Sequence, residues 1–356
     1  MRKKILAAVT AGLIALGSFM SVDAATRDEI AKIQVKRPAD FKFWAKDSVA
    51  KQKLVEYVKD VTDKRSKNFI PVADRIAVFD VDGTIACETA PFCFDFMMFV
   101  HRALDDPDYV ASAQDRANGE AVKAAIYNHK MTNDVRRKHC ESNASVFAGM
   151  TADEFAAYTR KFLDTPVEGF VNLKVGEAFY LPMIEVISYL RANDFKIFLV
   201  SGADRDYMRT SAEILPVAGD NMIGTDYKHV ATNQGDIDGM DYTLQPDDKV
   251  VRGGFVSKDI NMNKVTNMAR EIGKQPVLVF GNSTGDTSMI NFALRGNKYR
   301  TAAFFVICDD LEREFGNVDK ANKCRKLADS NGWIQISMRD DFKTLYGDNV
   351  RLGNRQ

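Results

Sequence analysis

Residues 76–85 read IAVFDVDGTI, and this segment is the most informative about the fold. Residues 76–79 form a short apolar run that ends abruptly in Asp80, as a buried parallel strand does at its carboxyl end. Asp82 follows two positions later, and side chains two apart in extended backbone point the same way. Gly83 permits the tight turn that the chain needs on leaving the strand. The stretch therefore predicts two carboxylates that face one ligand at the end of a buried strand.

Three more apolar runs, at 195–200, 277–280 and 301–307, predict further buried strands. Helical patterns separate them, and strands that alternate with helices predict a parallel sheet covered by helices. The second run ends at Ser201 and the third is followed by Asn282. Reacting groups in such sheets gather beyond the carboxyl ends of the strands, so we expect Ser201 and Asn282 to lie near Asp80.

Residues 80–84, DVDGT, resemble the first motif of the haloacid dehalogenase superfamily, D-x-D-G-T. The resemblance implies that Asp80 is the nucleophile that takes a phosphoryl group, and that Asp82 is the acid and later the base. A carboxylate is a weak nucleophile towards a dianionic ester, so a metal and cationic groups must neutralise the repulsion. Dehalogenases lack the second acid and ion-pumping ATPases carry Thr there. Asp82 therefore favours a phosphatase or a phosphotransferase.

The later motifs of the superfamily have counterparts in the same order. Residues 195–202, FKIFLVSG, resemble the second motif, which implies that Ser201 and Gly202 bind the phosphoryl oxygens. Lys264 resembles the lysine of the third motif, which pairs with the nucleophile and the phosphate, and Lys258 is the alternative at this position.

Residues 277–286, VLVFGNSTGD, resemble the fourth motif, whose acids bind Mg²⁺. The implied Mg²⁺ ligands are Asn282, Asp286, a carboxylate oxygen of Asp80 and the backbone carbonyl of Asp82. Oxygen ligands together with a substrate phosphate suit this ion. Many relatives carry Asp where this chain has Asn282, so we expect Asp286 to supply more of the metal affinity.

The implied fold class is α/β, with a Rossmann-like parallel-sheet core and a helical cap inserted between the first and second motifs. We assign residues 25–88 and 177–356 to the core, including an N-terminal helical lead-in, and residues 89–176 to the cap. About 120 residues separate the two motifs, far more than one crossover needs. Glu88 resembles a residue that faces the substrate amine in phosphoserine phosphatases, and the alternative is a salt bridge at the cap hinge.

Residues 1–24 predict a secretory signal peptide. A basic start at residues 2–4 precedes an apolar run at 5–20, and Val22 and Ala24 occupy the −3 and −1 positions of a cut after Ala24. The apolar run is short for a spanning helix, so we expect no stable membrane anchor after removal and a periplasmic or secreted protein. An uncleaved N-terminal anchor is the alternative.

Amino-acid composition limits the classes of partner that we expect this protein to bind. Lys plus Arg and Asp plus Glu both number 49, and a nucleic-acid-binding surface would need a clustered basic excess. The densest internal basic cluster, residues 136–138, is typical of a solvated helix face. Five cysteines leave at least one unpaired, and a Cys308–Cys324 bridge is one predicted pairing.

Residues 44–75, 87–88, 309–314 and 333–348 also resemble an exported bacterial subgroup near the phosphoserine phosphatase branch. The resulting hypothesis is an exported, Mg²⁺-dependent phosphatase that hydrolyses small phosphomonoesters through an aspartyl phosphate. A phosphotransferase with the same intermediate and a non-catalytic exported protein that binds a phosphometabolite are the alternatives. A binding protein has no need for an acid at Asp82. Nothing in the sequence favours a particular oligomeric state.

Overall fold

The computed structural model describes residues 24–353. All but the last residue of the predicted signal peptide lies outside these residues. Within them, no helix is both long and apolar enough to cross a membrane.

The strands of this part of the chain are β1 (Ile76–Phe79), β2 (Phe170–Val171), β3 (Lys196–Asp204), β4 (Met222–Ala231), β5 (Val250–Ser257), β6 (Leu278–Gly281), β7 (Ala302–Ile307), β8 (Ile334–Ser337) and β9 (Arg351–Leu352). The α-helices are α1 (Arg27–Ala31), α2 (Val49–Thr62), α3 (Phe94–Val100), α4 (Ala113–Tyr127), α5 (Asn133–Val146), α6 (Ala152–Leu163), α7 (Leu181–Ala192), α8 (Arg205–Ser211), α9 (Met262–Glu271), α10 (Thr287–Leu294), α11 (Val318–Asn331) and α12 (Met338–Asp341). A π-helical turn, His101–Asp105, continues α3.

Seven strands form one sheet in the order β5-β4-β3-β1-β6-β7-β8. Every neighbouring pair is parallel except β4 and β5, which pair antiparallel at one edge. All four residues of β1 are buried, as expected for a central strand covered by helices on both faces. The predicted α/β fold class with a Rossmann-like parallel sheet is confirmed.

Register places the chemistry-bearing strand ends side by side. Phe79 of β1 pairs with Leu199 of β3 on one side and with Phe280 of β6 on the other. Because the three strands are parallel and adjacent, their carboxyl ends meet at one edge of the sheet.

Two parts of the sheet differ from the prediction. Strands β4 and β5 form a long antiparallel hairpin, in addition to the four strands predicted from apolar runs. Strand β8 was not predicted because Ile336 is its only fully buried residue, so its apolar signal is weak.

Four helices, α3 to α6, lie in the segment predicted as the cap. Backbone hydrogen bonds join this segment to β5: the N–H of Gly149 donates to the carbonyl of Arg252 at 2.9 Å, and the N–H of Arg252 donates to that of Met150 at 2.8 Å. The Arg252 guanidinium also pairs with Asp204 of β3 at 2.6 Å, with both side chains almost fully buried. The helical segment is therefore fastened to the sheet at β5, while the domain boundaries stay a prediction.

Candidate active site

All the residues predicted to act on substrate or metal line one pocket of about 110 Å³. The pocket lies at the edge of the sheet where β1 and β6 end. Asp80 and Asn282 directly follow these two strands, and Ser201 lies within β3, just past Leu199, which pairs with Phe79. The other members of the predicted set in its lining are Asp82, Glu88, Gly202, Lys264 and Asp286. The structure thus brings together groups that lie far apart along the chain.

Gly83 makes the turn after β1 possible. Its φ of 78° lies in the left-handed region, and a Cβ at this position would meet Nδ2 of Asn282 at 1.8 Å and Oε2 of Glu88 at 2.5 Å. Both the backbone conformation and the close approach exclude other residues. The glycine lets the first motif, Glu88 and the loop after β6 converge on one point.

Lys264 connects the carboxylates of the pocket. Its Nζ donates to Oδ1 of Asp80 at 2.6 Å, to Oδ1 of Asp286 at 2.7 Å and to the carbonyl of Val200 at 2.8 Å. These three bonds use all of its donors. Lys258, the alternative lysine, donates instead to the carbonyl of Gly202 at 2.6 Å. Of the two lysines, Lys264 is the one hydrogen-bonded to Asp80.

The loop after β6 fixes the orientation of Asn282. Oδ2 of Asp286 accepts from the backbone N–H of Asn282 at 3.0 Å and of Ser283 at 3.1 Å. The Asn282 amide nitrogen donates to Glu88 at 2.9 Å, whereas its Oδ1 is buried and has no hydrogen-bond partner among the described residues. A buried acceptor without a donor is unfavourable unless something else binds it.

The arrangement fits a hard divalent cation. Asp80, Asp82 and Asp286 line the pocket together with the unpartnered amide oxygen of Asn282, and such oxygen donors suit Mg²⁺. Residues 24–353 contain no group of three His, Cys, Asp or Glu side chains already set to hold a metal. The candidate site is not such a group, because Lys264 hydrogen-bonds to one oxygen of Asp80 and to one oxygen of Asp286. The amide oxygen of Asn282 and a substrate phosphate would be the further oxygen donors to the metal.

Burial and repulsion between negative charges raise the pKa values of the pocket carboxylates Asp80 and Asp82. Burial raises the pKa of Asp80, the charge of Asp286 raises it further, and Lys264 opposes both effects. Burial likewise raises the pKa of Asp82 well above its usual value, followed by the charges of Asp95 and Asp80. Burial alone would lower the pKa of Lys264, but Asp286 and Asp80 raise it. Burial thus favours the protonated form of Asp82, and the two neighbouring carboxylates favour the charged form of Lys264.

Asp95 is a pocket residue that sequence reasoning missed. It lies in α3, is buried, and accepts from the backbone N–H of Phe96 at 2.9 Å and of Asp204 at 3.3 Å. Burial raises the pKa of Asp95 to about 6 against the opposing charge of Lys258. The signal was an acidic residue inside the aromatic run at 92–96, which was otherwise assigned to the core.

Glu88 lies where the pocket meets a second cavity. Lys320 of α11 forms an ion pair with its carboxylate, and Asn282 donates to the same oxygen. Glu88 and Phe92 also line the neighbouring cavity of about 350 Å³. This ion pair corresponds to the salt bridge that was predicted as the alternative role of Glu88. The contact between Glu88 and a substrate amine stays a prediction.

The five cysteines are buried free thiols. The Sγ of Cys308 donates to the carbonyl of Asn317 at 3.7 Å, and that of Cys324 donates to the carbonyl of Asn282 at 3.4 Å. The predicted Cys308–Cys324 bridge is not formed, because the two thiols are directed at different carbonyls.

In a comparison with protein families, the haloacid dehalogenase-like hydrolases match residues 77–291. Comparison by sequence with the curated proteins finds no match. The matched segment begins in β1 and ends in α10, so it contains the whole candidate site.

Similar solved structures include a protein of unknown function from Bordetella pertussis Tohama I, 15% identical, aligned over 74% of this chain and 97% of the other, with a TM-score of 0.47. A cytosolic 5'-nucleotidase IIIB bound to cytidine is 10% identical over 79% and 84% of the two chains, with a TM-score of 0.47. A phosphoserine phosphohydrolase-like protein from Francisella tularensis subsp. tularensis SCHU S4 is 13% identical over 65% and 87%, with a TM-score of 0.37. The family assignment therefore depends on the match over residues 77–291.

Proposed function

The chain belongs to the haloacid dehalogenase-like hydrolase family, and from this premise we propose that it is a Mg²⁺-dependent phosphatase of small phosphomonoesters. The observation that carries the proposal is the 2.6 Å contact between Lys264 and Asp80 in a pocket that Asp82 also lines. A lysine held against a buried carboxylate neutralises the charge that would otherwise repel a phosphate ester.

The first half-reaction transfers the phosphoryl group to the enzyme. An oxygen of Asp80 attacks phosphorus, the bond between phosphorus and the leaving oxygen breaks, and the proton of Asp82 moves to that oxygen. The raised pKa of Asp82 supports this role, because the group must hold a proton at neutral pH. Ser201 and Gly202 of β3, which line the pocket, bind the phosphoryl oxygens.

The second half-reaction restores the enzyme. Asp82, now a carboxylate, takes a proton from a water whose oxygen attacks phosphorus, and the bond from phosphorus to Asp80 breaks. Inorganic phosphate leaves, and Asp80 and Asp82 return to their starting states. Lys264 remains charged throughout and balances the carboxylates on either side of it.

Asp80, Asn282, Asp286 and the backbone carbonyl of Asp82 would hold Mg²⁺, which when bound supplies positive charge next to the phosphoryl oxygens. The unpartnered Oδ1 of Asn282 supports this ligand set.

We also propose that residues 1–24 direct export to the periplasm or beyond, as their signal-peptide pattern predicts. N-terminal sequencing of the exported protein tests this: it should begin at Ala25.

The experiment for the activity is a phosphomonoester panel assayed by phosphate release, with and without Mg²⁺, on wild type and Asp80→Asn. We expect Asp80→Asn to lose activity by at least about a thousandfold while circular dichroism shows an unchanged fold. Wild-type turnover by the variant would exclude the covalent mechanism. Preferential transfer to an added alcohol would indicate a phosphotransferase, and no turnover of any ester would indicate a binding protein.

A further inference from the structure

The catalytic pocket is small and lies next to a larger crevice. The pocket measures about 110 Å³ and the crevice about 370 Å³. The crevice lies between α5 and β5 and reaches Asn263 at the start of α9. Arg136, Lys258 and Ile260 line both spaces, so the two adjoin. Since the pocket is lined by the groups that handle phosphate, a leaving group has room to extend into the crevice.

The charged residues of the crevice are all cations: Arg136, Arg137 and Lys258. Its other lining residues are uncharged, namely Asn133, Cys140, Phe255, Val256, Ser257, Ile260 and Asn263. The crevice therefore has positive charge without any carboxylate in its own walls.

The two arginines differ from the next basic residue of the same helix. Lys138 pairs with Asp134 of the same helix at 2.9 Å. Arg136 is half-buried and Arg137 is exposed, and neither forms an ion pair with any residue between 24 and 353. Arg136 donates from Nη1 to the carbonyl of Met131 at 2.7 Å, which fixes its side chain and leaves further N–H donors for another group. The exposed Arg137 and the ion-paired Lys138 are typical of the expected solvated face, whereas Arg136 is half-buried; both arginines line the crevice.

Lys258 connects the crevice with the phosphate-binding turn. Its ammonium donates to the carbonyl of Gly202 at 2.6 Å and lies 4.7 Å from the ring centroid of Phe96. Lys258 is thus held at the junction. The arginines, whose planar guanidinium groups can bind a carboxylate or a phosphate through two parallel hydrogen bonds, stand beyond it.

Arg136, Arg137 and Lys258 line one crevice that has no carboxylate in its walls, so an anion bound between them relieves their mutual repulsion. We propose that the substrate carries a second anionic group, a carboxylate or a phosphate, on its leaving-group side, and that Arg136 and Arg137 bind it. This inference rests on the proposed phosphatase function and names the substrate class: phosphomonoesters of anionic alcohols. Arg136 and Arg137 are specificity residues in this reaction, while bond breaking stays with Asp80 and Asp82.

The test compares matched esters that differ in one charge. Alkyl phosphates, ω-carboxyalkyl phosphates and alkane bisphosphates of equal chain length are assayed by phosphate release. We expect wild type to prefer at least one of the two doubly anionic series, and the preferred series identifies the second group as carboxylate or phosphate. In Arg136→Gln and Arg137→Gln, the ratio of kcat/KM for the preferred ester to that for the alkyl ester should fall about tenfold to a hundredfold, the effect of one charge-assisted hydrogen bond.

Lys138→Gln is the matched control, since it removes a charge from the same helix outside the crevice, and it should leave the ratio unchanged. Equal wild-type rates on all three series, or equal losses on charged and uncharged esters in the arginine variants, would overturn the inference. Equal losses would mean that the two arginines attract the phosphate group of every ester and do not bind a second anionic group.

A binding measurement separates this inference from the proposed function. ω-Carboxyalkyl phosphonates or alkane bisphosphonates should raise the Tm of wild type more than alkyl phosphonates do, and Arg136→Gln should remove that difference. If wild type binds the doubly charged ligands preferentially but hydrolyses no ester, the phosphatase function fails and the anion site stands. If it hydrolyses alkyl esters in an Asp80-dependent manner without any preference for a second charge, the function stands and this inference fails.

Discussion

The ammonium nitrogen of Lys264 lies 2.6 Å from Oδ1 of Asp80, although 184 positions separate the two residues in the sequence. Lys264 is only 3% exposed, so this contact is strongly desolvated. Asp286 shares the same ammonium at 2.7 Å. One lysine therefore serves two buried carboxylates, and removing it would leave like charges facing each other.

We expect Lys264→Met to lower kcat/KM by about a hundredfold or more, because the uncompensated carboxylates repel a phosphate ester. Lys258→Met should have a smaller effect on alkyl phosphates, since Lys258 contacts the Gly202 carbonyl and not Asp80. Steady-state kinetics of both variants on one alkyl phosphate decide between the lysines. A larger loss in Lys258→Met would assign the third-motif role to that residue.

Removing divalent metal should abolish activity, and added Mg²⁺ should restore it. Asn282→Ala deletes the buried amide oxygen that has no partner among the described residues, so its half-saturating Mg²⁺ concentration should rise at least about tenfold. Magnesium titrations of activity measure this. Cys140→Ala, a change in the crevice away from the carboxylates, is the control. Full activity after dialysis against EDTA would refute the metal assignment.

The ion pair between Glu88 and Lys320 makes a different prediction for Glu88→Ala than an amine-reading role does. If the carboxylate orders Asn282 and Lys320, kcat/KM should fall by a similar factor, about threefold to tenfold, for amine-bearing and featureless esters. If the carboxylate binds a substrate amine, kcat/KM should fall only for the amine-bearing ester, by about tenfold to a hundredfold. Lys320→Met, measured on the same two esters, should reproduce the first pattern.

Arg252→Met should destabilise the protein by about 3–5 kcal/mol, because it leaves the Asp204 carboxylate buried without its cation. The matched control is Arg209→Met, which removes a partly exposed partner of Asp206 and should change the free energy of unfolding by about 0–1 kcal/mol. Urea denaturation measures both. Similar effects in the two variants would show that the buried Asp204 pair contributes no more to stability than the partly exposed pair does.

Local sequence could predict much of the candidate site. Asp80, Ser201 and Asn282 each follow or end an apolar run, and parallel strand ends meet in any such sheet. The central strands β1, β3, β6 and β7 were foreseen for the same reason, since continuous burial leaves an uninterrupted apolar signal.

Contacts that depend on docking of distant segments could not be predicted. Lys320 lies 232 positions from Glu88, and no spacing rule connects an exposed-looking lysine of α11 with a residue near the first motif. Asp95 and Arg252 are buried charges inside patterns typical of a helix and an edge strand. Their partner Asp204 becomes apparent only once the hairpin of β4 and β5 packs against α5 and α6.

The backbone hydrogen bonds between Gly149, Met150 and Arg252 bear on how the crevice chooses among ligands. One wall of the crevice comes from α5 and the other from β5, and these bonds join the segment just after α5 to β5 itself. The two walls are therefore joined directly at this end of the crevice. If a substrate bridges the catalytic pocket and the proposed anion site, a fixed gap between the two positions would select by length: an alcohol too short to span it would lose one contact, and one too long would have to fold back on itself. We therefore expect the distance between the two charges of the substrate to affect binding more than its other substituents do.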